Sequence, residues 1–164
     1  EKLIGKLPLT IDTHDFTFGP TFTYTGDLME YYDKSYFSLV SATNFFQEDE
    51  PTRTLNEKEY KPILSRHPFV LVSRPRTLEL LKEFGFMTFD KWFDESYDLE
   101  ENDEKRMNLL IDEVDRLSNL DPSVWDSMLK DMQPVLEHNL NHVVNNANDI
   151  IFSTDFKNIL RYAG

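Results

Sequence analysis

Residues 52–78 read TRTLNEKEYKPILSRHPFVLVSRPRTL, and the fold follows from how this stretch divides. It parses as a loop, a short helix, a buried strand, and a loop that opens a second helix. Thr54 and Glu57 have the Thr-x-x-Glu spacing of a capping box, which predicts a helix starting near Leu55. Pro62 falls too late in it to be a first-turn proline. It removes one amide donor and is expected to kink the helix near Lys58, whose carbonyl loses its partner. His67-Pro68 ends the helix. Phe69 to Val72 is an apolar run without alternation, the pattern of a strand covered on both faces. Helix followed by buried strand predicts a parallel sheet of βαβ type. Ser73-Arg74-Pro75-Arg76-Thr77 then leads into a helix of Leu78, Leu80, Leu81 and Phe84, closed by Gly85.

The same stretch is a basic island. Between Arg53 and Arg76 stand six Lys/Arg against two acids, a net of +4 in a chain of −13, which leaves −17 for the rest. Cations held together on such a background are either placed for an anion or paired with the surrounding carboxylates. Loops that leave parallel strands and enter helix N-termini are where open α/β sheets bind anions, and Arg74 and Arg76 sit in one.

At 164 residues, with 13 Phe, 7 Tyr and 2 Trp, one domain with a sizeable core is expected. The absence of cysteine excludes disulfides and thiolate metal sites and fits a reducing, cytoplasmic compartment. No apolar run approaches the ~18 residues of a membrane span. The strong acidity argues against general nucleic-acid binding, since phosphates would meet mostly negative surface. The chain opens on Glu1 without a methionine, as a piece of a longer chain would.

Residues 1–34 read as extended or irregular, with Phe16, Phe18, Phe22 and Tyr24 around a Gly19-Pro20 turn and a short helix at 28–34. Asp12, His14 and Asp15 suit a polar turn better than a metal site, having no third element. Residues 36–40 (YFSLV) predict a strand, and 47–51 an acidic turn. Asp94, Glu95 and Asp98 could hold Mg²⁺ beside a phosphate, but fit better as loop carboxylates that cap the next helix or face water.

From Asn102, the residues Met107, Leu110, Ile111, Val114 and Leu117 follow helical spacing with charges opposite. Asp121-Pro122 starts a further helix with Trp125, Met128, Leu129 and Met132, bending at Pro134 and ending in the polar run 145–149. His138 and His142 share a face at i, i+4. With no third ligand at a diagnostic distance, they read as a surface pair rather than a zinc site. Ser153 or Thr154 caps a last short helix bearing Phe156, Ile159 and Leu160.

Three segments, YFSLVSATN, LNEKEYKPILSR and HPFVLVS, resemble in order and spacing the donor-binding C-terminal half of GT-B glycosyltransferases. The nearest likeness is to α-1,3-fucosyltransferase-like enzymes. There a strand ends near Phe-Glu-Asn, Thr-Glu-Lys opens a helix, and a buried strand begins near Pro-Val. A likeness to phage-type proteins with similar Glu-Lys and Pro-Phe segments extends towards Asp98. The chain departs at Ala42, Thr43 and Asn56, where the family has Glu, Asn and Thr, and at Arg74 and Arg76, where related sequences often turn through glycine.

The resemblance implies a Rossmann-like domain binding a nucleoside-diphosphate sugar. Lys58 would reach the pyrophosphate and Glu57 would lie near the ribose; Arg74 or Arg76, expected at an anion from their place in the basic loop, would assist at the phosphates. It implies no metal or other cofactor, and a second domain or partner chain supplying the acceptor site and the general base. The expectation is therefore a single α/β domain over 1–164, with a mainly parallel sheet and nucleotide site within 35–100 and a helical part from 101. The rival expectation is a binding or assembly module that keeps the scaffold without the chemistry.

Overall fold

The structure is a computed structural model describing residues 29–46 and 55–150, with side chains at 31–46, 55–56 and 58–146. The expected Asp12–Asp15 turn, the aromatic strands around Gly19, the acidic turn at 47–51, Thr54 and the last helix lie outside those residues. In order, the chain forms α1 (Met29–Asp33), β1 (Ser38–Ser41), α2 (Glu57–Leu64), β2 (Phe69–Val72), α3 (Thr77–Glu83), a 3₁₀ turn (Ser96–Leu99), α4 (Asp103–Ser118) and α5 (Pro122–Ile150). It is a mixed α/β chain, mostly helical in its described residues.

β1 and β2 pair in parallel, Ser38 opposite Phe69 through Ser41 opposite Val72, with α2 as the crossover. Phe69, Val70 and Leu71 are all buried, as their unbroken apolar run requires. Among the described residues the sheet has two strands, which leaves β2 paired on one side only. Side chains meet its outer edge instead. Tyr97 Oη accepts from the Leu71 amide at 3.4 Å, and Arg106 Nε donates to the Ser73 carbonyl at 3.2 Å. β1 begins two residues later than expected. Tyr36 and Phe37 stack on Trp125 of α5 at 5.3 and 5.5 Å, and the ladder starts where the Ser38 amide reaches the Pro68 carbonyl.

α2 starts at Glu57 rather than Leu55 because its capping box is Asn56-x-x-Glu59. The Asn56 side chain accepts the Lys58 amide at 2.9 Å, and Glu59 Oε2 accepts the Asn56 amide at 2.8 Å. The helix runs on through Pro62 to Leu64. It closes in a Schellman motif: the Arg66 amide donates to Ile63 and the His67 amide to Pro62. That motif needs a left-handed residue, and Arg66 supplies it at φ 51°. Arg66→Gly should therefore stabilise the fold by about 0.5–1 kcal/mol, read as a higher denaturation midpoint at unchanged slope. α3 ends in the same motif with Gly85 at φ 88° in the left-handed position.

His67 fastens α1 and β1 to the start of β2. Its Nε2 donates to the Ser35 carbonyl at 2.9 Å, which leaves Nδ1 to accept from Ser38 Oγ at 2.9 Å. Burial holds its pKa below the usual 6.5, against opposing contributions from hydrogen bonds to Ser35, Pro68 and Tyr32 and from Asp33. A depressed histidine pKa means the fold prefers the neutral ring. Its stabilising contribution is complete above the unfolded value and is lost as pH falls below about 6.5 towards the folded value. The denaturation midpoint should fall across that window by more in the parent than in His67→Gln. Equal slopes would contradict this assignment.

The core gathers β2, Val40, Tyr60, Ile63, Phe86, Phe89, Phe93, Leu110, Leu117, Trp125, Met132 and Val143. α4 is rotated from its expected pose. Arg106, Leu110, Glu113 and Leu117 face inward, while Met107 and Ile111 are exposed. These two line an open apolar groove with Leu39, Val72 and Val114. Arg106 and Glu113 can lie inside because their polar atoms are matched: among the described residues no buried side-chain nitrogen or oxygen lacks a partner. α5 begins at Pro122 after Asp121, as expected, and keeps helical geometry through Pro134. Its departure comes at Asn146, inside the polar run.

Candidate functional site

A cleft of about 210 Å³ opens at the carboxyl edge of the parallel pair. Its floor and walls are the residues that leave the two strands, Ala42, Thr43 and Asn44 after β1 and Ser73, Arg74 and Pro75 after β2. Asn56 and Glu59 from the start of α2 and Thr77 and Leu80 of α3 complete it. Parallel pairing makes this arrangement unavoidable, because both strands end on one side and both following helices begin there.

Short bonds hold the lining. The Ala42 amide reaches Val72 and the Arg74 amide reaches Asn44, tying the two exits together at 2.9 and 3.1 Å. Asn56 Nδ2 donates to Thr43 Oγ1 at 3.1 Å, and Thr77 Oγ1 donates to the Arg74 carbonyl at 2.8 Å. Behind the cleft the guanidinium of Arg106, fully buried, donates to the carbonyls of Ser73, Phe45 and Glu100 and to Asp103, and stacks over the Phe45 ring at 4.3 Å.

Of the four residues expected to form the site, Arg74 lines the cleft. Glu57 opens α2, and Lys58, half-buried in its first turn, is not among the described lining residues. Arg76 is the left-handed N-cap of α3, at φ 64°, and engages Glu79 at 3.2 Å and Glu101 at 3.9 Å. Glu59, only 1% exposed, brings the acidic group to the lining. The Asn56-x-x-Glu59 spacing was its signal in the sequence, competing with Thr54-x-x-Glu57 two residues earlier. Arg106 carried no such signal, since it lies among charges of a helix face that reads as solvent-exposed.

Asp98 caps the helix before it, not the one after. Its carboxylate accepts from the amides of Leu78 at 2.9 Å and Glu79 at 3.1 Å, and its carbonyl accepts from Arg76 at 2.6 Å. The first turn of α3 is thus already capped by a carboxyl group. Burial pushes the Asp98 carboxyl above its ordinary pKa, against the pull of those amides. Glu95 accepts from Thr88 Oγ1 and the Phe89 amide, both at 2.7 Å, and Asp94 accepts from the Ser96 amide. The capping of α4 falls to Asn102, which accepts from Lys105.

His138 and His142 donate through Nε2 to the carbonyls of Gly85 and Phe84 at the end of α3, at 2.9 and 2.6 Å. Among the described residues no three His, Asp or Glu side chains gather as a metal cluster. No described helix is long and apolar enough to cross a membrane. No known family, curated protein or solved structure matches the chain.

Proposed function

We propose that the chain is the donor-nucleotide half of a glycosyltransferase of GT-B type, a Rossmann-like domain that holds a nucleoside-diphosphate sugar during displacement at its anomeric carbon. One observation carries the reading: the cleft at the carboxyl edge of a parallel β-α-β unit, between both strand exits and the starts of α2 and α3. Open α/β sheets receive nucleotides at that place. The choice of a sugar nucleotide comes from the Glu57-Lys58 and His67-Pro68 segments and their likeness to fucosyltransferase-like and phage-type sequences. Arg74 on the lining, with Lys58 and Arg76 flanking it, would meet the phosphates. Glu57 would lie towards the ribose. A second domain or partner chain would bring acceptor and base, in a cytoplasmic setting consistent with the lack of cysteine.

A second reading, a non-catalytic binding or assembly module, is favoured by two features of the same edge. Asp98 occupies the first amides of α3, and Ala42 lines the cleft where the resembling family carries Glu. A thermal-shift panel of nucleoside diphosphates, with UMP and sulfate as controls, separates the two. Saturation at one hundred times Kd adds about 2.7 kcal/mol of stability, a shift of several degrees. No shift with any diphosphate at millimolar concentration leaves the assembly module standing.

A further inference from the structure

Leu39 of β1 stands opposite Val70 of β2, so the two side chains share one face of the sheet. Val70 is fully buried, because α4 packs on β2, whereas Leu39 is 56% exposed. Parallel strands are covered by helices on both faces. On this face, among the described residues, the helix over β2 is present and the one over β1 is missing. We propose that an amphipathic helix of a partner protein docks there, apolar along one stripe and carrying Lys or Arg on the flank beside it.

The shape of the vacant strip suits a helix. Met107, Ile111, Val114 and Ser118 recur along α4 at helical spacing, a ridge of about 16 Å at 1.5 Å per residue. With Leu39 and Val72 facing them they bound an open groove of about 340 Å³. Met107, Ile111 and Leu39 are exposed along it. A helix laid beside α4 would bury all three, and methionine adapts its shape to the side chains it meets.

Charge selects the kind of helix. Leu110 and Leu117 bury one flank of the α4 ridge, and the other flank carries Glu104 and Asp115, with Asp112 beyond them, all exposed. No cation pairs with any of the three among the described residues. The cations of α4 are directed elsewhere. Arg106 is buried, Arg116 pairs with Glu113, and Lys105 lies about 160° round the helix from Met107. An apolar ridge edged by unpaired carboxylates complements a helix with a basic flank.

The same carboxylates bear on where that helix comes from. A second copy of this chain would bring identical acids to the groove. Of the segments outside the described residues, 1–28 and 47–54 each hold more acids than bases. Residues 151–164 hold Lys157 and Arg161 against Asp155, but they continue from α5, which packs on α2. α2 covers the Val40 side of β1, the opposite face. A partner chain remains as the source.

The probe is a synthetic Leu/Lys peptide of about five helical turns, with Leu at i, i+3, i+4 and i+7 spacing. Its controls are a Leu/Glu peptide of the same pattern and a shuffled Leu/Lys peptide of the same composition. Amide NMR of the full chain should show Leu39, Met107, Ile111 and Val114 shifting together with one Kd for the patterned Leu/Lys peptide. Both controls should bind at least about tenfold more weakly. Ile111→Asp should weaken the patterned peptide by about tenfold or more, and Asp115→Lys should weaken it and flatten its salt dependence. If Ile111→Asp fails to fold, Leu39→Ser should give the same direction of change. Equal binding of patterned and shuffled peptides, or binding indifferent to both apolar variants, would mean mere attraction to an acidic surface and overturns the inference. So does silence from every peptide. Contacts from Leu39 or Ile111 to residues 1–28 or 151–164 in the free chain, or a dimer dispersed by Ile111→Asp, would give the groove to this chain itself and overturn the partner. None of these outcomes bears on the nucleotide cleft, which lies at the carboxyl edge of the sheet.

Discussion

Arg106→Met should cost about 3–5 kcal/mol, a large share of the stability of a chain this size. The guanidinium is fully buried, and its hydrogen bonds reach the loops after β1 and β2 and the turn before α4. Methionine fills much of the volume but leaves the Ser73, Phe45 and Glu100 carbonyls without that donor, at about 1–3 kcal/mol for each acceptor left unsatisfied. Urea denaturation gives the comparison, with Leu39→Ser as control. Leu39 is 56% exposed on the open groove, so that change should stay within about 0.5 kcal/mol. A loss under 1 kcal/mol in Arg106→Met would mean that the two strand exits do not depend on it.

Phe69→Ala should be as severe, at about 3–5 kcal/mol. Phe69 is 3% exposed, and its ring meets Phe89 edge-on at 5.3 Å inside the cluster that joins β2 to the loop after α3. A cavity there cannot collapse without moving the strand that sets the cleft floor. The urea midpoint should drop sharply at unchanged slope. A cost near that of Leu39→Ser would place residue 69 at an exposed edge and contradict the register.

Much of the frame is readable where a signal is local. Four consecutive apolar residues announce β2, Asp121-Pro122 announces α5, and Gly85 announces the end of α3, because each depends on neighbours within one turn. The failures share the opposite cause. The cap of α3 comes from Asp98, twenty residues past the amides it serves, and no sequence window holds both partners. α4 offers two overlapping stripes, Met107–Ile111–Val114 and Arg106–Leu110–Glu113–Leu117. Apolar periodicity joins the first to Leu110 and Leu117, which are indeed buried, yet tertiary hydrogen bonds draw Arg106 and Glu113 inward beside those leucines in place of Met107 and Ile111.

The cleft is half legible for the same reason. Its place follows from strand–helix–strand order, and Arg74 follows from lying just after the strand. Glu59 depends on which of two capping frames starts α2, a choice made by the Asn56 carboxamide, which also ties that start to Thr43. That frame makes Glu59 the partner of the Asn56 amide and brings it to the lining.

Backbone-amide NMR of the full chain, titrated with a nucleoside-diphosphate sugar, tests the central claim most directly. The amides of Thr43, Asn44, Asn56, Ser73, Arg74 and Thr77 should shift together and saturate with one Kd, while those lining the apolar groove, Met107 and Ile111, stay in place. Shifts confined to any other surface, or a spectrum unchanged at millimolar ligand, would contradict the assignment of this cleft as the nucleotide site.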